Sequence, residues 1–143
     1  MDYQQSRAYI RDAEQYAGGA LDLTNIKEIM KRLGNPQDQL KYVHVAGTNG
    51  KGSVIAYLYT TLTNAGYHVG RYISPSVYSY REKIEVEGTP ISREQFAKHT
   101  TRVAAVIEEM TAEGLAHPTP FEIETAVAFL FFVEEKCDPV ILE

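Results

Sequence analysis

The sequence predicts an α/β domain in which a parallel sheet is flanked by helices, and three stretches carry that reading. Tyr42-Val43-His44-Val45-Ala46 is a short strand that runs straight into Gly47-Thr48-Asn49-Gly50-Lys51-Gly52-Ser53. Ile55, Leu58, Leu62 and Ala65 then repeat at helical spacing until Gly66, and Val69 to Ile73 forms a second strand. Such a β-loop-α-β crossover gives a parallel, right-handed pair. Pro139-Val140-Ile141-Leu142 reads as a third, buried strand. Strands 42–46, 69–73 and 139–142 should therefore lie parallel in one sheet, with the helices after Gly52 and Thr119 packed on its faces.

The remaining elements follow in order. Residues 3–17 read as a helix whose face is Tyr9, Ala13 and Tyr16, with Ile10 and Ala17 beside them. A second helix has Ile26, Ile29, Met30 and Leu33 on one face, Thr24 as N-cap, and Gly34 then Pro36 as a stop. Beyond Ser74-Pro75 comes a polar, tyrosine-containing loop. Ile84 to Val86 and Ile91, around Gly88-Thr89-Pro90, suggest a hairpin. Ser92 with Gln95 forms a capping box for a helix carrying Phe96, Val103, Ile107 and Met110, ended by Gly114. Thr119 with Glu122 is a second box, with Pro120 at the first helical position. The helix it opens is apolar on nearly every side from Ala126 to Val133 and should be buried.

Composition narrows the function classes. With 143 residues the chain suffices for one domain, read as 1–143. The net charge of −5 argues against broad binding to nucleic acid or anionic membranes, though not against one anion in a local pocket. No apolar run approaches the ~20 residues of a membrane span. A lone Cys137 fits a reducing, cytoplasmic setting.

The strongest chemical signal is Gly47 to Ser53. A strand feeding a glycine-rich turn into a helix N-terminus offers backbone N–H groups and a positive dipole end to an anion. Gly50 and Gly52 let phosphate oxygens approach. Lys51 brings a point charge, and Ser53 a hydroxyl for Mg²⁺ or phosphate. The pattern departs from G-x-x-x-x-G-K-[ST], because Val45 holds the first glycine position and Gly52 separates Lys51 from Ser53. The bland alternative is a glycine-rich turn with a solvated lysine.

Ala46 to Ser53 resembles the phosphate loop of the Mur ligase superfamily. Glycine after the lysine is the form typical of its folate branch, the folylpolyglutamate and dihydrofolate synthases. Leu33-Gly34-Asn35-Pro36-Gln37 is similar to that branch's leader. Ser74-Pro75 with Tyr80-Arg81-Glu82-Lys83-Ile84 resembles its mobile loop. Thr119-Pro120-Phe121-Glu122, Thr125-Ala126 and Phe129 resemble its helix start, and Val140-Ile141-Leu142-Glu143 its strand ending in a metal-binding glutamate. Ser76 and Arg81 stand where the family often has histidine and asparagine.

The resemblance implies a truncated Mur-ligase-like ATP-binding central domain, cut at Glu143, whose C-terminal glutamate-binding domain lies elsewhere. It implies an ATP-dependent ligase that activates a folate or dihydropteroate carboxylate as an acyl phosphate and joins it to L-glutamate. ATP would sit on Gly47, Thr48, Asn49, Gly50, Lys51, Gly52 and Ser53, with Lys51 catalytic. Ser74 and Glu143 would ligate Mg²⁺. Thr119, Pro120, Phe121 and Glu122 would line the pterin side, with the 76–83 loop closing over it. The parent would be a monomer, and the 143 residues alone inactive.

Each assignment has a plainer reading. Ser74 before Pro75 also fits a strand-ending turn, and Thr119 with Glu122 a structural cap. Arg81 and Lys83 read as solvated, and His44 as a core or hydrogen-bonded histidine. The competing functions are another Mur-type amide ligase, which Gly52 and Tyr80 to Ile84 disfavour, and a non-catalytic ATP-binding or P-loop kinase module. A GTPase lacks support, because no Asn-Lys-x-Asp run is present.

Overall fold

The computed structural model describes residues 1–19 and 22–143. The chain divides into two compact units, Met1–Gln37 with Arg93–Phe131, and Asp38–Ser92 with Phe132–Glu143.

The first unit is helical. It holds α1 (Tyr3–Asp12), a 3-10 turn (Ala13–Tyr16), α2 (Thr24–Arg32), α4 (Arg93–Ala112) and most of α5 (Pro120–Glu134). Asp2 and Gln5 cap α1 reciprocally, each side chain taking the other's backbone N–H. The buried face of this segment is Ser6, Ile10 and Ala13, not Tyr9, Ala13 and Tyr16. Tyr16 is 43% exposed, because the tighter turn from Ala13 rotates it off the α-helical stripe.

Ile29, Met30 and Leu33 of the second helix are buried as their spacing requires. Its N-cap is Leu23 rather than Thr24, and the Asp22 carboxylate accepts the Thr24 N–H at 2.9 Å. Asn35 N–H returns to Met30 O and Gly34 N–H to Lys31 O, closing the helix in a Schellman motif. Both α1 and α2 pack on α4, whose Phe96, Val103, Ile107 and Met110 are buried. Arg32 joins Glu28 at 2.7 Å and Glu113 at 2.5 Å, fixing the end of α2 to that of α4.

The second unit carries a five-stranded sheet in the order β1-β5-β2-β3-β4. Its strands are β1 (Lys41–His44), β2 (Gly70–Tyr72), β3 (Ile84–Val86), β4 (Thr89–Pro90) and β5 (Pro139–Leu142). β5 lies parallel to both β1 and β2, so the three expected strands do share one parallel arrangement, with the last in sequence at its centre. β3 and β4 form the expected antiparallel hairpin beyond β2. Glu87 and Gly88 at its tip both have positive φ, 50° and 76°, as a type I′ turn demands.

On one face, Ile55, Leu58 and Leu62 of α3 (Lys51–Asn64) pack with Val43, Val69 and Ile141. Phe132, from the last turn of α5, lies against Gly70. β1 is the sheet's edge, and His44 is exposed there rather than buried.

Candidate phosphate and metal site

Three strands running the same way bring three loops to one edge of the sheet. Gly47 to Ser53 follows β1, Ser74 follows β2, and Glu143 follows β5. That carboxyl edge is where parallel sheets bind ligands. Two backbone bonds extend the ladder beyond the strands, Val45 N–H to Leu142 O at 2.7 Å and Glu143 N–H to Tyr72 O at 3.1 Å. Ser74 N–H then donates to Glu143 Oε2 at 3.4 Å. Two residues chosen from sequence as metal ligands are thus neighbours.

The glycine loop is exposed from Gly47 to Gly50. Gly47 has φ +151° and Gly50 +77°, conformations that a side chain would strain. Gly50 is the N-cap of α3 and supplies no side-chain cap, so the first amides of that helix are left for another acceptor. Lys51 and Ser53 occupy the helix's first turn. Lys51 Nζ donates to Gly47 O at 2.7 Å, which holds the ammonium over the loop.

Among the described residues no three His, Cys, Asp or Glu side chains cluster as a metal cage. A cation at Glu143 would therefore take its remaining oxygens from a nucleotide and from water. Mg²⁺ binds in that way, through one or two carboxylates plus phosphate oxygens, and hard oxygen donors such as Ser74 and Glu143 fit it.

The first unit has a cavity of about 660 Å³. Thr119, Phe121 and Glu122 line it, whereas Pro120 does not. The Thr119–Glu122 box is formed, with Thr119 N–H donating to Glu122 Oε2 at 2.8 Å and Glu122 N–H to Thr119 Oγ1 at 3.4 Å. Sequence reasoning missed the rest of the lining. Tyr16 stacks on His117 with ring centroids 4.1 Å apart and planes at 16°, and Leu23 is 62% exposed beside them. His117 Nδ1 lies 2.8 Å from Pro118 O, which can only accept, so that nitrogen carries the proton. An aromatic at a helix end next to two glycines was the one available hint of this wall.

Arg81 is half-buried and has a partner. Its Nη1 donates to Ile91 O at 2.8 Å and ties the loop after Ser74 to the hairpin. Lys83 lies over the Tyr80 ring at 4.7 Å.

No family model matches the chain. Individual relatives do. The chain is 40% identical over 142 residues to the dihydrofolate synthase/folylpolyglutamate synthase of Bacillus subtilis, which covers 99% of the chain and 33% of that protein. The folylpolyglutamate synthetase structure from Lactobacillus casei superposes with a TM-score of 0.90 at 32% identity, over 99% of the chain and 35% of its own. An FPGS-AMPPCP-folate complex superposes at 0.85 with 32% identity, over 99% of this chain and 34% of its own. The chain spans about a third of the length of these relatives. Over that third, in sequence and in fold, it belongs with the folylpolyglutamate and dihydrofolate synthases.

Proposed function

We propose that the chain supplies the phosphate- and metal-binding part of an ATP-dependent ligase that joins L-glutamate to a folate or dihydropteroate carboxylate. The observation that carries this reading is the shared edge, where the glycine loop leaves β1 beside the bonded pair Ser74 and Glu143. The B. subtilis relative bears both synthase names, and a related structure holds an ATP analogue with folate.

In this mechanism Gly47, Thr48, Asn49, Gly50, Gly52 and Ser53 cradle the β- and γ-phosphates through backbone N–H groups and the helix dipole. Lys51 leaves the Gly47 carbonyl for the phosphates and neutralises charge as the γ-phosphoryl moves to the substrate carboxylate. The acyl phosphate so formed is attacked by the glutamate amine, which releases phosphate. Ser74 and Glu143 would hold Mg²⁺, whose contribution is to offset phosphate charge. Positioning supplies the remainder of the rate. The cavity bounded by Thr119, Phe121 and Glu122 would take the pterin end, with Tyr16 and His117 as its aromatic wall.

Among the described residues no helix is long and apolar enough to cross a membrane, and all the partners in this reading are small molecules. The test is product formation by the polypeptide that carries this chain, given ATP, glutamate and either dihydropteroate or tetrahydrofolate. ATP turnover that ignores glutamate and both pterins would sink the proposal.

A further inference from the structure

The loop between β2 and β3 has little apolar packing to hold it in place. Ser74, Pro75 and Ser79 are exposed, Val77 is 77% exposed and Tyr78 94%. Its middle is ordered by one side chain. Glu82 Oε1 accepts the N–H of Val77 and, at 2.8 Å, that of Tyr78. The Tyr78 amide, helped by those of Val77 and Ser79, holds this carboxyl below the usual carboxylate range. Successive backbone amides curled around one anionic oxygen make a nest, an arrangement that binds anions generally.

The ends of the loop are tied separately. Ser74 N–H reaches Glu143, and Ile73 N–H donates to Lys83 O at 2.9 Å. Glu82 N–H donates to Ser79 O at 3.1 Å, and Arg81 bonds Ile91 O. These contacts fix where the loop leaves and re-enters the sheet. They leave its centre, between Pro75 and Ser79, to the Glu82 carboxylate.

We propose that Glu82 is a positioning residue: an internal anion seated in the Val77–Ser79 nest that sets the loop carrying Ser74 and Tyr78, and that a small external carboxylate can replace. Its consequence for catalysis rests on the reading of Ser74 given above, whereas the nest itself does not.

The test is residue-resolved amide hydrogen exchange on the chain with Glu82→Ala and Glu82→Gln. Charge-assisted hydrogen bonds are the strong ones, so Val77 and Tyr78 amides should exchange roughly tenfold faster or more in Glu82→Ala. The amides of β3 that pair with β2 should keep their protection. Added formate should restore the Val77 and Tyr78 protection in Glu82→Ala and do nothing in the unsubstituted chain. Glu82→Gln, which keeps an acceptor but loses the charge, should fall between the two. Unchanged exchange at both amides in Glu82→Ala overturns the proposal. So does loss of protection spreading into β3, which would make Glu82 part of the fold, or a failure of formate to restore it.

A second readout is kinetic. In the polypeptide carrying this chain, Glu82→Ala should raise the KM for the carboxylate substrate or for Mg²⁺ more than it lowers kcat, and formate should reverse the rise. Exchange effects as expected with unmoved KM values would uphold the nest and count against Ser74 as a site residue.

Discussion

The Ser74 amide and the Glu143 carboxylate meet at 3.4 Å although 69 positions separate them in sequence. They meet because β5 pairs in parallel with β2, Leu142 opposite Tyr72, which brings the segments just beyond both strands to a common edge. A carboxylate held there by a backbone donor keeps oxygen lone pairs for a cation. Glu143→Gln should therefore shift the Mg²⁺ dependence of ATP turnover to higher concentration in the polypeptide carrying this chain, with the circular dichroism spectrum unchanged. An unshifted Mg²⁺ curve would count against a metal at this position.

Lys51 is the loop's only lysine and is tethered at 2.7 Å to Gly47 O. Lys51→Ala should lower kcat/KM by roughly 10²- to 10³-fold, the scale of losing one preorganised charge-stabilising donor. Steady-state kinetics beside a thermal melt would check this. A melt that moves as much as the rate would assign the lysine to stability instead.

Among the described glycines, Gly70 is the one with no room for a side chain. A Cβ built there would lie 2.7 Å from Phe132 Cδ1 and 3.2 Å from Cys137 Sγ, and the Phe132 ring is fully buried. Gly70→Ala should destabilise by about 1–3 kcal/mol, the usual effect of overpacking. Urea denaturation measures it, and Phe132→Leu in the same chain should recover part of the loss.

His68 supplies a pH dependence. Its Nδ1 lies 2.7 Å from Glu87 Oε1, and that hydrogen bond raises the imidazole above its ordinary value. A raised folded value means the stabilisation is complete below the unfolded value of about 6.5 and fades as pH climbs through the higher, folded one. Unsubstituted chain should exceed Glu87→Gln by about 0.2–1 kcal/mol near pH ~5.5, between the ordinary carboxylate and imidazole ranges, the scale of partly exposed pairs. That gap should shrink in alkaline buffer, as urea midpoints across pH would show. A gap that widens with pH would reverse the assignment.

Periodicity and caps made much of this architecture legible. Pro139 to Leu142 was read as a strand from four residues, and the Thr119–Glu122 box was read from two. The loop from Gly47 to Ser53 announced its conformation, because the glycines at 47 and 50 take positive φ. Tyr16 was misplaced for a definite reason. A 3.6-residue period assumes an unbroken α-helix, and the chain tightens to about three residues per turn from Ala13. His44 was read as a core or hydrogen-bonded histidine, and it is exposed because β1 lies at the sheet's edge, a place set by the strand order and not by local residue type. Neither Glu82 nor the Tyr16–His117 stack left a local pattern, since each depends on where a turn places a single side chain.

The central place of β5 also orders events in time. β1 and β2 touch it and not each other, so neither has its parallel neighbour until residues 139–142 arrive. The contacts that complete the sheet span most of the sequence, and long-range pairings of this kind slow folding. During synthesis on the ribosome, the glycine loop and Ser74 would emerge well before the strand that aligns them. A nascent chain short of β5 would carry the motif without the shared edge, so nucleotide capture should appear late and in step with closure of the sheet.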